Sequence, residues 1–173
     1  MCYCRHKKQH TGESCDAPMD ICMTFGNVAD SLSRAGYARK IEAAECLELL
    51  DLAQEHHLVQ FGENIQKTPS FICNCCGCCC EALVGARKFG YQNPVATTNF
   101  MPLVSTGCNG CGKCVRICPV EAMSLVSTNN PVNPREMRAK VDQGLCLGCG
   151  VCVGVCDRSQ ILKCKEVEFH LAA

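Results

Sequence analysis

The chain has no tryptophan, and only three tyrosines and six phenylalanines among its 173 residues. Large rings supply much of the buried area of an ordinary core, so their scarcity forecasts a thin core stiffened by other means. Excess charge of one sign is missing too. Seventeen Lys and Arg balance seventeen Asp and Glu, without the basic surplus of a general nucleic-acid binder. No stretch approaches the roughly 20 apolar residues of a membrane-spanning helix. The opening MCYCRHKKQH is polar and basic with no apolar run behind it, unlike a secretory signal. A phosphate loop, a dinucleotide fingerprint and a Ser-His-Asp set are also lacking, so any catalysis would rest on metal or thiol chemistry. What is abundant is cysteine, with twenty residues. The expected location is cytoplasmic, where thiols stay reduced and cysteine clusters are metal or redox sites rather than disulfides.

Two runs carry the strongest signal: Cys108-x2-Cys111-x2-Cys114-x3-Cys118-Pro119 and, 38 residues later, Cys146-x2-Cys149-x2-Cys152-x3-Cys156. Three cysteines at intervals of three put their sulfurs around one tight loop, and a fourth follows after a longer gap, where a helix is expected to start. This spacing suits a cubane [4Fe-4S] cluster. Structural zinc uses paired C-x2-C units instead of a triplet with a trailing fourth. Gly107, Gly110, Gly112, Gly144, Gly148 and Gly150 allow backbone amides to approach the sulfurs. The surroundings repeat as well. An apolar segment (101–104), the first run, a helical turn (119–122) and a strand (123–126) are followed by a strand (139–141), the second run, a turn (157–160) and a strand (161–163). Residues 127–138, with Pro131 and Pro134, are expected to be a surface loop. Lys113 and Arg116 flank the first run, and Asp157 and Arg158 the second.

On these motifs residues 100–164 resemble a bacterial-type two-cluster ferredoxin domain. The resemblance implies an α+β fold with a ferredoxin-like pseudo-symmetric repeat around two cubanes. It implies that Cys108, Cys111, Cys114 and Cys156 bind one [4Fe-4S] cluster and that Cys146, Cys149, Cys152 and Cys118 bind the other, the fourth cysteines being exchanged. The pattern departs at Asp157, where its counterpart is Pro119; Asp also suits a helix N-terminus. Two clusters at about −2 each would make the loaded chain acidic by about four charges, which favours basic patches on redox partner proteins. Residues 165–173 form a C-terminal tail.

Residues 1–91 read as a small, helical, cysteine-rich metal-binding region. Cys2, Cys4, Cys15 and Cys22 suggest a loop-rich knuckle over residues 1–26 holding a third centre, a [4Fe-4S] cluster or a zinc ion, with His6 as a further candidate donor. Asn27 is expected to cap a helix burying Val28 and Leu32 and stopped by Gly36. A second helix from about Glu42 puts Ala43, Leu47, Leu50 and Gln54 on one face, and residues 58–61 alternate as a strand, an order reminiscent of a winged helix. The knot CNCCGCCC hides a second triplet, Cys73, Cys76 and Cys79, as further candidate ligands, and a helix over 81–89 follows, closed by Gly90. Cys46 and Cys164 are expected to be buried, inert thiols. The Cys-Arg start, helical hairpin and CNCCGCCC resemble uncharacterised iron-sulfur proteins of anaerobes. Because the first residues already lie inside a metal motif, the chain is expected to belong to a longer protein.

The function expected is one-electron transfer, as a carrier or as an electron-wiring domain or subunit of a larger anaerobic oxidoreductase. A redox- or oxygen-sensing regulator is the alternative, and an enzyme using vicinal thiols or an open-iron cluster is a third.

Overall fold

The computed structural model describes residues 1–63, 65, 67–89, 98–158 and, by backbone alone, 161–164. Gly90, most of the expected connection at 92–99, the end of the turn at 157–160 and the tail at 165–173 lie outside the described residues. The chain divides into two compact units, Met1–Tyr91 and Gln92–Ala173, of mixed α and β structure.

The first unit opens on a helix where the cysteine spacing suggested loops. Helix α1 spans Tyr3–His10, with Cys2 as its N-cap and Lys7, Lys8 and His10 in its last turn, where cations favour the negative end of the helix dipole. Its sequence is too polar to show an apolar stripe, and its one buried residue is Arg5. After β1 (Met23–Thr24) come α2 (Gly26–Arg34) and α3 (Ala43–Glu55). Phe25, not Asn27, caps α2. No α2 residue is buried, and Val28 is 41 % exposed, because α2 contributes no face to the core. Gly36 follows it at φ 76. Helix α3 begins after Glu42 as expected, but it buries Ala53 and leaves Leu47 exposed. Ile21, Ala53 and Leu58 make the local core, with Ala17, Cys22, Leu52 and Cys76 against it.

Strands β2 (Val59–Gly62) and β3 (Phe71–Cys75) complete an antiparallel sheet of order β1-β3-β2, with Met23 opposite Ile72 and Val59 opposite Cys75. Helix α4 (Glu81–Phe89) leaves the cysteine knot directly and buries Leu83 and Ala86.

The second unit contains β4 (Phe100–Leu103), α5 (Lys113–Ile117), β5 (Met123–Ser127), β6 (Met137–Val141), α6 (Val151–Gly154) and β7 (Ile161–Cys164). Two separate antiparallel ladders pair β4 with β7 and β5 with β6. The expected loop at 127–138 is the end of the β5–β6 hairpin, since Ser127 still pairs with Met137. Val132 near its tip is 91 % exposed. Neither fourth cysteine starts a helix: Cys118 is the C-cap of α5 and Cys156 lies just past α6. The short helices start earlier, inside each run, because Gly112 and Gly150 take left-handed N-cap conformations. No helix among the described residues is long and apolar enough to cross a membrane.

Candidate metal centres

Each cysteine run of the second unit forms a loop closed on a strand. A Cβ on Gly110 would stand 2.4 Å from the Met137 carbonyl oxygen, and one on Gly148 would stand 2.1 Å from that of Phe100. Both glycines have positive φ, so a side chain there is excluded by conformation and by space. The first loop thus sits on β6 and the second on β4.

Two cavities lie against these loops. One, of about 380 Å³, is lined by Cys108, Cys111, Cys114 and Cys156 together with Lys113, Asp157 and Arg158. The other, of about 20 Å³, is lined by Cys118, Cys146, Cys149 and Cys152 with Pro102, Pro119, Val120 and Leu147. Three cysteines of one run and the fourth of the other therefore meet at each. Cys114 and Cys152 share one core with Met123 and Ala139. Burial pushes the thiols of Cys114 and Cys149 up, and that of Cys152 up to about 12. Backbone amides reach two sulfurs: Ala139 N–H donates to Cys108 Sγ at 3.4 Å and Ala122 N–H to Cys118 Sγ at 3.2 Å. Lys113 Nζ pairs with Asp157 at 2.5 Å, so the residue that departs from the first run's proline is tied back to the first loop.

In the first unit Cys15, Cys76, Cys78 and Cys79 bring four sulfurs within 4.8 Å of one another. Cys15 and Cys76 are 3.6 Å apart, Cys78 and Cys79 3.7 Å, and Cys79 and Cys15 3.8 Å. Arg5, fully buried, donates to Pro18 O, to Asn74 O at 3.3 Å and to Cys76 Sγ at 3.6 Å. Burial works against ionising Cys76, yet hydrogen bonds from Arg5, the Cys79 amide, Cys78 and Cys15 bring its thiol down to about 7. Cys78 moves the other way, raised by burial and by Cys76.

Residues 107–159 match the family model described as a 4Fe-4S dicluster domain. The second unit carries a 4Fe-4S dicluster domain. The match covers a little under a third of the chain. No curated protein matches the chain. A dicluster domain is an electron-transfer module and acts as a carrier instead of a stand-alone catalyst, so the expectations of iron-sulfur binding and electron transfer hold.

The donors suit such groups. Each cavity of the dicluster domain offers four thiols, soft ligands that select iron-sulfur or zinc over hard cations. The second cavity is narrow, so its walls must separate to admit a group of cubane size.

In the first unit the sulfurs are distributed differently from their order in the sequence. Cys15 joins the knot, 61 residues on, and not Cys2, Cys4 and Cys22. Of the triplet, Cys76 and Cys79 belong to the four-thiol group and Cys73 does not. Cys78, which spacing did not single out, completes it. The His6 ring stands edge-on to His10 at 4.7 Å and is not in the group. Cys46 is half-buried, and the Cys164 side chain lies outside the described residues.

Proposed function

We propose that the chain is an electron-wiring protein or subunit whose dicluster domain holds two [4Fe-4S] clusters in a pseudo-symmetric repeat. Cys108, Cys111, Cys114 and Cys156 hold one, and Cys146, Cys149, Cys152 and Cys118 the other. The observation that carries this reading is the lining of the two cavities, each by three cysteines of one run and the fourth of the other. Bound cubanes take up and release electrons singly. The chain's own part is to hold and tune them. The Ala139 and Ala122 amides draw negative charge from Cys108 and Cys118, which favours the reduced state. Burial of Cys114, Cys146 and Cys152 limits water at the sulfurs.

A third centre occupies Cys15, Cys76, Cys78 and Cys79. Three of the six sulfur separations are 3.6–3.8 Å and all are within 4.8 Å, close to the edge of a tetrahedron with metal–sulfur bonds of about 2.3 Å. This supports a single ion, zinc or iron, over the cubane expected from the spacing. Additional centres favour wiring over a free shuttle, because they lengthen the electron path. Clusters add negative charge, so the partners are redox proteins or subunits presenting basic patches.

The regulator reading is weaker. The first unit does follow a helix-helix-strand order, and its sheet runs β1-β3-β2. Yet α3 exposes Glu48, Asp51 and Glu55 and has no Lys or Arg, a face that repels phosphates.

Anaerobic purification followed by iron and sulfide analysis tests the proposal. About eight of each in the dicluster domain, with a visible charge-transfer band bleached by a low-potential donor, is the expected outcome. A colourless protein without stoichiometric iron and sulfide sinks it.

A further inference from the structure

We propose that Cys2, Cys4, Cys22, Cys73, Cys75 and Cys80 form a second thiolate site of the first unit, separate from the four-thiol group, and that it takes an iron-sulfur cluster. The inference stands apart from the cluster assignments in the dicluster domain and uses that domain's content only as a baseline.

The site is assembled by the sheet. Met23 pairs with Ile72 in antiparallel register, which carries Cys22 opposite Cys73. The Asn74 side-chain amide donates to Ile21 O at 2.6 Å and fixes the next pair. Side chains alternate along a strand, so Cys73 and Cys75 lie on one face while Asn74 points to the other. Cys2 is brought in by its own N–H, which donates to Met19 O at 2.6 Å, and Cys80 by its place directly before α4.

The six thiols form a ring. Each thiol lies within interaction reach of the next: Cys2 of Cys22, Cys22 of Cys73, Cys73 of Cys75, Cys75 of Cys80 and Cys80 of Cys4. Cys4 is in turn within electrostatic reach of Cys2, and Cys73 feels both Cys2 and Cys80. A single tetrahedral ion needs four sulfurs about one point. Six sulfurs linked neighbour to neighbour enclose a space instead, which suits a polynuclear group carrying its own bridging sulfide. Four thiols can hold a cubane, leaving two to donate hydrogen bonds to its sulfurs.

The surroundings call for negative charge. Two helices begin at the ring: Cys2 is the N-cap of α1, and Cys80 directly precedes α4, where the Val84 N–H donates to the Cys80 carbonyl. Such termini stabilise thiolates. Arg5 is 0 % exposed, and its guanidinium donates to the Pro18 and Asn74 carbonyls and to the Cys76 thiol. It touches Cys76 of the four-thiol group and faces Cys2 of the ring. Its Nε has no partner, and among the described residues no carboxylate pairs with it. A buried cation needs a buried anion, and thiolates on either side supply it.

The experiment counts iron, sulfide and zinc in the anaerobically purified full chain by native mass spectrometry, for the wild type, the C22A/C73A variant and C78A. The wild type is expected to carry about twelve irons and twelve sulfides, with about four of each beyond the dicluster domain, plus one zinc or one further iron in the four-thiol group. C22A/C73A is expected to lose those four and keep the rest, including the ion at Cys15, Cys76, Cys78 and Cys79. C78A is expected to lose only that ion. Wild-type iron and sulfide stopping at about eight each overturns the proposal, as does full retention in C22A/C73A. Loss of the extra four irons from C78A overturns it too, because one shared site would then serve both groups. If C22A/C73A does not fold, the wild-type count and C78A still decide. Failure of the dicluster assignment is distinguishable, since it leaves C22A/C73A with far fewer than about eight irons.

Discussion

The two units collect sulfur in opposite ways. In the dicluster domain three of the four cysteines lining each cavity come from one stretch of seven residues. In the first unit the four-thiol group joins Cys15 to a knot 61 residues away, and the ring draws on α1, the approach to β1, β3 and the start of α4. The first arrangement needs a loop, whereas the second needs a finished sheet. Local sites can therefore be read from spacing, and sites made by tertiary pairing cannot.

The largest expected effect tests the exchange of fourth cysteines. If Cys156 serves the first loop, C156A loses about four irons. C156A/C111A then loses no more than the single variant, while C156A/C149A loses about eight. Iron analysis decides, and the reverse pattern would make each run self-contained and erase the contrast with the first unit.

Next in size is R5M. Removing one member of a buried charge pair typically costs about 3–5 kcal/mol. Chemical denaturation should show a loss of that order in the first unit, together with poor metal loading there. The visible absorption of the dicluster domain should persist. R5K should recover part of the loss, which a purely packing role for Arg5 would not produce.

Gly148→Ala sharpens the account of the local loops. Its Cβ would overlap the Phe100 carbonyl, and its φ of +72 is left-handed, a conformation that alone costs about 1–2 kcal/mol with a side chain. Gly154→Ala meets nothing within 4 Å and has no positive φ. Thermal unfolding should separate the two, with a clear loss for the first and little change or a small gain for the second.

The smallest effect is expected of Lys113→Ala. Its pair with Asp157 is exposed, with side chains 47 % and 75 % accessible, and such pairs contribute little. Iron content should be unchanged, and a large loss of the first cluster would show that the pair locks Cys156 in place.

How far the sequence carried varies with the same contrast. The strands around the cysteine runs, the strand at Val59–Gly62 and helix α4 were legible because hydrophobic period and turn residues are local signals. Helix α1 was missed because its stabilising contact is Arg5, a polar residue buried by partners far along the chain. The helix expected at Cys118 was displaced because Gly112 turns the chain into α5 earlier, and a glycine's choice of positive φ is invisible in spacing. The four-thiol group was half legible: Cys15, Cys76 and Cys79 were candidates, but the link between them depends on how β1 pairs with β3. Cys78 falls outside the triplet of Cys73, Cys76 and Cys79, so spacing did not single it out.

The register of β1 on β3 also has a consequence for biosynthesis. Cys2 and Cys4 leave the ribosome some seventy residues before Cys73, Cys75 and Cys80, and closing a segment of that length is slow and entropically costly. During that interval the early thiols have no partners and are open to oxidation. Cys108, Cys111 and Cys114 emerge within moments of one another. Cys2 waits 71 residues for Cys73, whereas the first loop waits 42 after Cys114 for Cys156, so the first unit should be the part most damaged by air during synthesis.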